Sequence, residues 1–182
     1  MKYSAISALA ALLAMPALAE PLSGDRQVVF VDSDGNRHVA GRVTFTPQGE
    51  QTSYTIAWDT AAFEDHFLSM RPFRCMEGPA KFWCHVPYPY PINRTIAGDD
   101  LTDLEYDLLF VWKGAADYGI NMWNGVYYQL EATETGLVGH LHEMNMDVLS
   151  APPPDGSLRP VKAGDLHEVD PDGHWLPRVL IE

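Results

Sequence analysis

Residues 38–59 read HVAGRVTFTPQGEQTSYTIAWD, and their periodicity predicts a β-rich fold. Alternation of apolar and polar side chains is typical of a half-buried strand. In the first half, the alternation places four residues on one face: Val39, Gly41, Val43 and Phe45. In the second half, it places three residues on one face: Tyr54, Ile56 and Trp58. The turn formers from Pro47 to Glu50 separate the halves, so two antiparallel strands are predicted.

The neighbouring segments extend this pattern into a β-rich chain. A β-branched run, Gln27–Val31, precedes the stretch and is followed by a cluster of turn formers. Further on, Asn124-Gly125 predicts a type I′ hairpin, and residues 133–136 predict a second hairpin. We therefore expect an all-β domain with at most one short helix. Its strand spacing predicts a small antiparallel β-barrel or sandwich of about seven to nine strands with a C-terminal arm.

Three segments can be distinguished along the 182 residues. Residues 1–19 combine a positive start, an apolar run and an Ala-Leu-Ala ending, which is the pattern of a signal peptide cleaved between Ala19 and Glu20. Residues 20–150 are predicted to form the β-rich domain. Residues 151–182 are rich in proline and are predicted to form an arm packed on that domain. We expect the mature protein in the periplasm or outside the cell, without membrane insertion after cleavage.

Charge and cysteine content restrict the partners and the compartment. The 25 acidic residues outnumber the 12 Lys and Arg residues and give a formal net charge of −13. Such a surface repels phosphate backbones, so a small molecule or an envelope protein is the expected partner and a nucleic acid is not. Cys75 and Cys84 predict one structural disulfide, because their spacing does not match a Cys-x-x-Cys redox site. An acidic cluster at residues 99–107 predicts helix caps or, alternatively, oxygen ligands for Ca²⁺.

The segment HLHEMNM at residues 140–146 contains the best candidate site. On a strand, four of its side chains would share one face: His140, His142, Met144 and Met146. Imidazole and thioether groups are ligands of copper, and imidazole also binds zinc. The alternative is an interior row in which Met fills gaps and His is hydrogen-bonded, or a histidine-lined pocket for a small molecule. Trp123 and Tyr128 are further ligand-binding candidates, with core packing as their alternative role.

The sequence contains no motif that specifies a reaction, and the catalytic residues stay unknown. It lacks Gly-x-Ser-x-Gly, His-Glu-x-x-His and a glycine-rich phosphate loop. We therefore expect a non-enzymatic secreted or periplasmic β-domain that binds a small ligand or an envelope partner. Two alternatives are a copper- or zinc-binding protein that uses the His/Met row, and a hydrolase. The hydrolase would use a His–carboxylate site around His85, His140 or His174.

Overall fold

The computed structural model describes residues 22–69, 72–153 and 156–182. The predicted signal peptide and its cleavage site lie outside the described residues. Within them, the chain forms twelve strands and one α-helix, besides short 3-10 turns: β1 Gly24–Val31, β2 Arg37–Gln48, β3 Gln51–Trp58, β4 Glu64–Phe67, β5 Pro72–Glu77, β6 Lys81–His85, β7 Thr95–Ile96, α1 Thr102–Asp107, β8 Phe110–Gly114, β9 Gly125–Ala132, β10 Leu137–Met144, β11 His167–Glu168 and β12 Arg178–Ile181. The all-β class is confirmed, with more strands than expected because several are very short.

The twelve strands belong to one antiparallel sheet. Their order is β4-β5-β6-β8-β9-β10-β12-β1-β2-β3-β7, and β11 pairs with β10 beside this path. Because β4 and β7 lie at the two ends of the order, the described strands do not close into a ring. Of the two architectures predicted from the sequence, the structure is consistent with a sandwich, and the closed barrel is wrong.

The core forms where the sheet folds over on itself. The ring of Phe30 in β1 packs edge-on against Phe110 in β8, with 5.2 Å between the ring centroids. Trp58 in β3 lies 5.7 Å from the same Phe110 ring. These strands are several places apart in the sheet order, so the contacts join two layers across a common interior. Trp83 and Leu176 are fully buried in the same core cluster, and side chains fill the interior.

A β-bulge changes the face predicted for Val39. In the pairing of β1 with β2, Val28 is opposite Gly41, but the next residue, Val29, is opposite Val39. Ala40 is therefore the extra residue of a bulge, and the strand twists locally. Ala40 is fully buried, whereas 47% of Val39 is exposed. The prediction that Val39 shares a buried face with Gly41 is wrong, because alternation along a strand does not reveal a bulge.

The two predicted hairpins have different outcomes. β9 and β10 are joined through residues 133–136, where the Thr133 amide donates to the Gly136 carbonyl across 2.9 Å. This hairpin is confirmed. Asn124-Gly125 is not a hairpin turn, because β9 begins at Gly125. A Cβ atom at Gly125 would lie 2.5 Å from the Met144 carbonyl oxygen, so glycine is needed there for the close approach of β10.

The end of the chain is part of the sheet. β12 pairs with β10 on one side and with β1 on the other. Its Val179 and Ile181 side chains are fully buried in the core. Residues 178–181, at the end of the predicted arm, thus form an interior strand. β12 is far from β1 in sequence, so their pairing depends on the assembled fold. Local sequence patterns predict pairing only between strands that follow each other along the chain.

Cys75 and Cys84 form the predicted disulfide. The two cysteines lie directly opposite each other on β5 and β6, and both are fully buried. A buried disulfide is compatible with an extracytoplasmic, oxidising compartment. Within the described ranges, we find no helix that is long and apolar enough to cross a membrane.

Replacing both cysteines with serine should lower the free energy of unfolding by about 3 kcal/mol, because the bond closes a short loop in the unfolded chain. The cysteines are 9 residues apart in sequence. Urea denaturation of the double variant and the wild type measures the difference. The tight turn between β5 and β6, in which the Gly78 amide donates to the Lys81 carbonyl across 3.0 Å, remains in both proteins. A loss well below 1 kcal/mol would mean that this turn alone holds the hairpin.

α1 covers an edge of β9 that lacks a strand partner. β8 pairs with β9 only at Phe110–Val126 and Val111–Gly125. Beyond that point, the Glu105 carboxylate of α1 accepts a hydrogen bond from the Leu130 amide of β9 at 2.7 Å. The Tyr127 hydroxyl donates to the other oxygen of Glu105. The side chain therefore takes the place of a missing strand carbonyl.

The other carboxylates of α1 are also bound by groups of the protein. Asp107 accepts hydrogen bonds from Arg94 Nε at 2.9 Å and from the Tyr54 hydroxyl at 3.0 Å. Asp103 pairs with Arg159 Nη2 at 2.7 Å. Burial and the neighbouring Asp107 carboxylate raise the pKa of Tyr54. The acidic cluster at this helix thus anchors α1 to the sheet and to the C-terminal region.

Candidate ligand-binding cleft

A cleft of about 550 Å³ opens on the sheet beside β10. Residues of β10, β11 and β12 line it, together with the turn after β1 and the chain between β11 and β12. We call it the β10 cleft and define it by its six charged or titratable lining residues: Asp32, His140, His142, Glu168, Asp172 and Arg178. Val169, Pro171 and Pro177 add an apolar part to the lining. The cleft therefore combines charges of both signs with an apolar wall.

Strand register fixes the relative positions of four of these residues. β9 pairs with one edge of β10, and β12 and β11 follow each other along the opposite edge. Arg178 of β12 lies directly opposite His140, and Glu168 of β11 lies directly opposite His142. Directly opposite residues of antiparallel strands project from the same face of a sheet. All four side chains therefore project on the side where the cleft opens.

Asp32 forms a fixed side of the β10 cleft. Its Oδ1 atom accepts hydrogen bonds from the backbone amides of Asp34 at 3.0 Å and Asn36 at 2.8 Å. Its Oδ2 atom lies 3.0 Å from His38 Nε2. The hydrogen bond with His38, assisted by those from Asn36, lowers the pKa of Asp32 to about 2. This carboxylate is ionised at neutral pH and is already satisfied by the protein.

Other charges of the β10 cleft are not neutralised in this way. Within the described part of the chain, four lining side chains make no hydrogen bond or ion pair with another residue: His140, Glu168, Asp172 and Arg178. All four residues are exposed. Their donors and acceptors are therefore available to a molecule that enters the cleft.

The structure brings His140 and His142 together but buries the two methionines of the predicted metal row. Met144 and Met146 are each 1% exposed and lie in an apolar cluster with Leu149. His142 Nδ1 lies 3.2 Å from the His140 carbonyl oxygen. Among the described residues, no group of three or more His, Cys, Asp or Glu side chains could hold a metal ion. The geometry of this region therefore adds no support to the copper or zinc hypothesis.

The two aromatic candidates lie away from the β10 cleft lining. Trp123 is 68% exposed and belongs to the connection between β8 and β9. Tyr128 is fully buried; its hydroxyl accepts from Trp83 Nε1 at 3.0 Å and donates to the Leu176 carbonyl at 2.7 Å. Burial raises the pKa of the Tyr128 hydroxyl well above its usual value. Tyr128 thus has the environment of a core residue.

One of the three histidines named for a hydrolase has a carboxylate partner. His174 Nε2 lies 2.9 Å from Glu143 Oε1, which also accepts from Trp112 Nε1 at 3.1 Å. His174 Nδ1 faces the Asp170 carbonyl oxygen at 3.4 Å. Both ring nitrogens thus have protein partners, which suits a role in holding the chain before β12. His85 is partly buried, with its Nε2 near a backbone carbonyl.

No sequence pattern predicts Glu168, Asp172 or Arg178 as site residues. Nothing in their local sequence marks them, because each is a charged residue beside a proline or an apolar residue in a loop-rich segment. They join the histidines only through the pairing of β11 and β12 with β10. That pairing connects segments about thirty residues apart and cannot be read from local periodicity.

The described chain is thus an all-β domain with a charged cleft on the surface of its sheet. No family model, curated protein or solved structure matches the chain. The geometry of the β10 cleft is therefore the basis for assigning a function.

Proposed function

We propose that this protein is an extracytoplasmic β-domain that binds a small polar ligand in the β10 cleft. One observation carries the proposal: His140, Glu168 and Arg178 converge on one cleft and make no ion pair with any described residue. Charged side chains that converge without mutual neutralisation can exchange water for a ligand of complementary charge.

The size and lining of the β10 cleft suit a small molecule. Ligand pockets of proteins span roughly 300–1,000 Å³ and combine an apolar surface with a few polar groups that orient the ligand. The β10 cleft has about 550 Å³ and an apolar wall that includes Val169 and Pro177. The packed interior offers a ligand less room, because Phe30, Phe110 and Tyr128 fill it. This contrast favours binding at the surface of the sheet.

A binding role accounts for the geometry better than catalysis does. The His174–Glu143 pair has both imidazole nitrogens engaged, so a general base there would first have to break a hydrogen bond. His140, which does have a free ring, has no carboxylate partner among the described residues to orient it. The arrangement therefore supplies binding groups without an evident nucleophile–base pair.

The expected result is that at least one small charged molecule raises the melting temperature of the purified protein, because a ligand that binds only the folded state stabilises it. A thermal-shift screen with amino acids, amines, carboxylates and sugars at millimolar concentration tests this. Arg178→Gln and His140→Ala should each reduce the shift. Both residues are exposed, so these variants are expected to fold.

Arg42→Gln is the matched control for this screen. Arg42 is an exposed arginine that pairs with Asp25 at 3.1 Å and does not line the β10 cleft. It should keep the full ligand-induced shift. The proposal fails if no compound of any class raises the melting temperature. It also fails if Arg178→Gln and His140→Ala retain the same shift as Arg42→Gln.

A further inference from the structure

The spacing of opposite charges along β10 suggests which ligand the β10 cleft accepts. Arg178 and Glu168 lie opposite His140 and His142, which are two residues apart on the same strand. Two residues of a strand span about 7 Å. The Cα atoms of Arg178 and Glu168 are therefore about 7 Å apart along one edge of β10, and both side chains project from one face of the sheet.

The protein leaves this cation and this anion unpaired within its described part. Neither the Arg178 nor the Glu168 side chain forms an ion pair or hydrogen bond with another described residue. Asp172 adds a second unpaired carboxylate to the lining of the cleft. Asp32 does not compete for the ligand's cation, because its oxygens accept hydrogen bonds from its own turn and from His38.

Each end of the β10 cleft has its own chemistry. A guanidinium binds carboxylates through two parallel hydrogen bonds, which gives geometric selectivity as well as affinity. The carboxylates of Glu168 and Asp172 can accept hydrogen bonds from an ammonium group. Val169, Pro171 and Pro177 also line the cleft and offer apolar contact to a short methylene chain.

We propose that the β10 cleft selects zwitterionic ligands of the ω-amino acid type, with the carboxylate on Arg178 and the ammonium on Glu168. This inference rests on the proposed function, because it names the ligand class of the same site. It requires that affinity depend on the distance between the two charges of the ligand, with a maximum where that distance matches the spacing of Arg178 and Glu168 along the strand edge, about 7 Å. A ligand with one charge gains contacts at one end only and binds more weakly.

Isothermal titration calorimetry with a graded series of probes tests the inference. The series runs from glycine through β-alanine, 4-aminobutanoate and 5-aminopentanoate to 6-aminohexanoate. Pentanoate, pentylamine and 1,5-diaminopentane are the single-charge and two-cation controls. Affinity should rise along the series to 5-aminopentanoate or 6-aminohexanoate. The three controls should bind at least about tenfold more weakly, because each lacks one charge-assisted contact.

Charge-exchange variants assign the two ends. The wild type should prefer 5-aminopentanoate to both pentylamine and pentanoate. Arg178→Gln should remove the preference over pentylamine, and Glu168→Gln should remove the preference over pentanoate. Exchanging both charges, with Arg178→Glu and Glu168→Arg in one protein, should restore the preference for the zwitterion, because the ligand can bind in the reverse direction. If the double variant shows no preference for the zwitterion over the single-charge controls, the assignment of the two ends is overturned.

Other outcomes separate this inference from the proposed function. Equal or tighter binding of pentylamine or 1,5-diaminopentane would overturn the zwitterion class and leave a cation-binding cleft, so the proposed function would stand. Affinity that is independent of chain length would likewise overturn the inference alone. If no probe of the series binds the wild type, the inference is overturned. The proposed function then survives only if another compound from the thermal-shift screen binds in an Arg178-dependent way.

Discussion

Replacing Glu105 with alanine is expected to lower the free energy of unfolding by about 3 kcal/mol, because two buried partners lose their acceptor. These partners are the Leu130 amide, 2.7 Å from the carboxylate, and the Tyr127 hydroxyl. Glu105 is 7% exposed, so water cannot easily replace it. Urea denaturation at neutral pH, followed by circular dichroism, measures the loss.

Glu105→Gln is the matched variant for this prediction. The glutamine amide has an oxygen for the Leu130 amide and an NH₂ group for the Tyr127 oxygen, so both partners stay satisfied. Burial raises the pKa of Glu105, which means that ionising this carboxyl costs free energy that glutamine avoids. We expect a change within about 1 kcal/mol for Gln. An equally large loss for Gln and Ala would contradict the view that hydrogen-bond satisfaction holds α1 on β9.

The second large effect is a loss of stability in mild acid caused by His85. The ring of His85 lies 4.9 Å from Trp58 and 5.3 Å from Phe110, measured between centroids. Burial lowers the pKa of His85 from 6.5 to about 4. Above pH 6.5 the ring is neutral in the folded and the unfolded chain. As the pH falls from 6.5 towards 4, only the unfolded chain gains the proton, so the free energy of unfolding falls.

The size of this loss should be about 2–3 kcal/mol, allowing for the partial exposure of the ring. Denaturation midpoints of the wild type and of His85→Phe, recorded between pH 7 and pH 4, measure it. His85→Phe keeps the aromatic contacts and removes the titration, so its stability should fall less over this range. Phe63→Leu is a core control that changes no titratable group, so its free energy of unfolding should depend on pH as that of the wild type does. If the free energy of unfolding falls equally with pH for the wild type and for His85→Phe, His85 is not held in the fold as a buried neutral imidazole.

Local sequence patterns predict those parts of the fold that depend on neighbours in the chain. Tyr54 and Ile56 lie on the core side of β3, as their alternation predicts. The hairpin through residues 133–136 and the disulfide also follow from local signals. The bulge at Ala40 and the insertion of β12 between β1 and β10 do not. These two features depend on how distant strands fit together, which no local period encodes.

The candidate site divides in the same way. His140 and His142 are found from the sequence because alternation along one strand places them together. The residues opposite them, Arg178 and Glu168, come from segments that the fold alone brings to β10. Met146 lies outside the strand, because β10 ends at Met144 and a 3-10 helix, Met146–Leu149, follows. Met144 is still part of β10 and is buried in the apolar cluster that contains Met146 and Leu149. Alternation extended past the end of the strand therefore misplaces Met146, and alternation alone does not show that Met144 is buried.

A two-dimensional ¹H–¹⁵N NMR titration locates the bound ligand on the protein and so tests whether it occupies the β10 cleft. The titrant is the compound with the largest shift in the thermal screen. We predict that the amide signals that move most belong to residues 140–142, to residues 168–172 and to Arg178, which line or adjoin the cleft. Shifts centred on another surface, such as the loop that carries the exposed Trp123, would mean that the ligand does not bind in the β10 cleft.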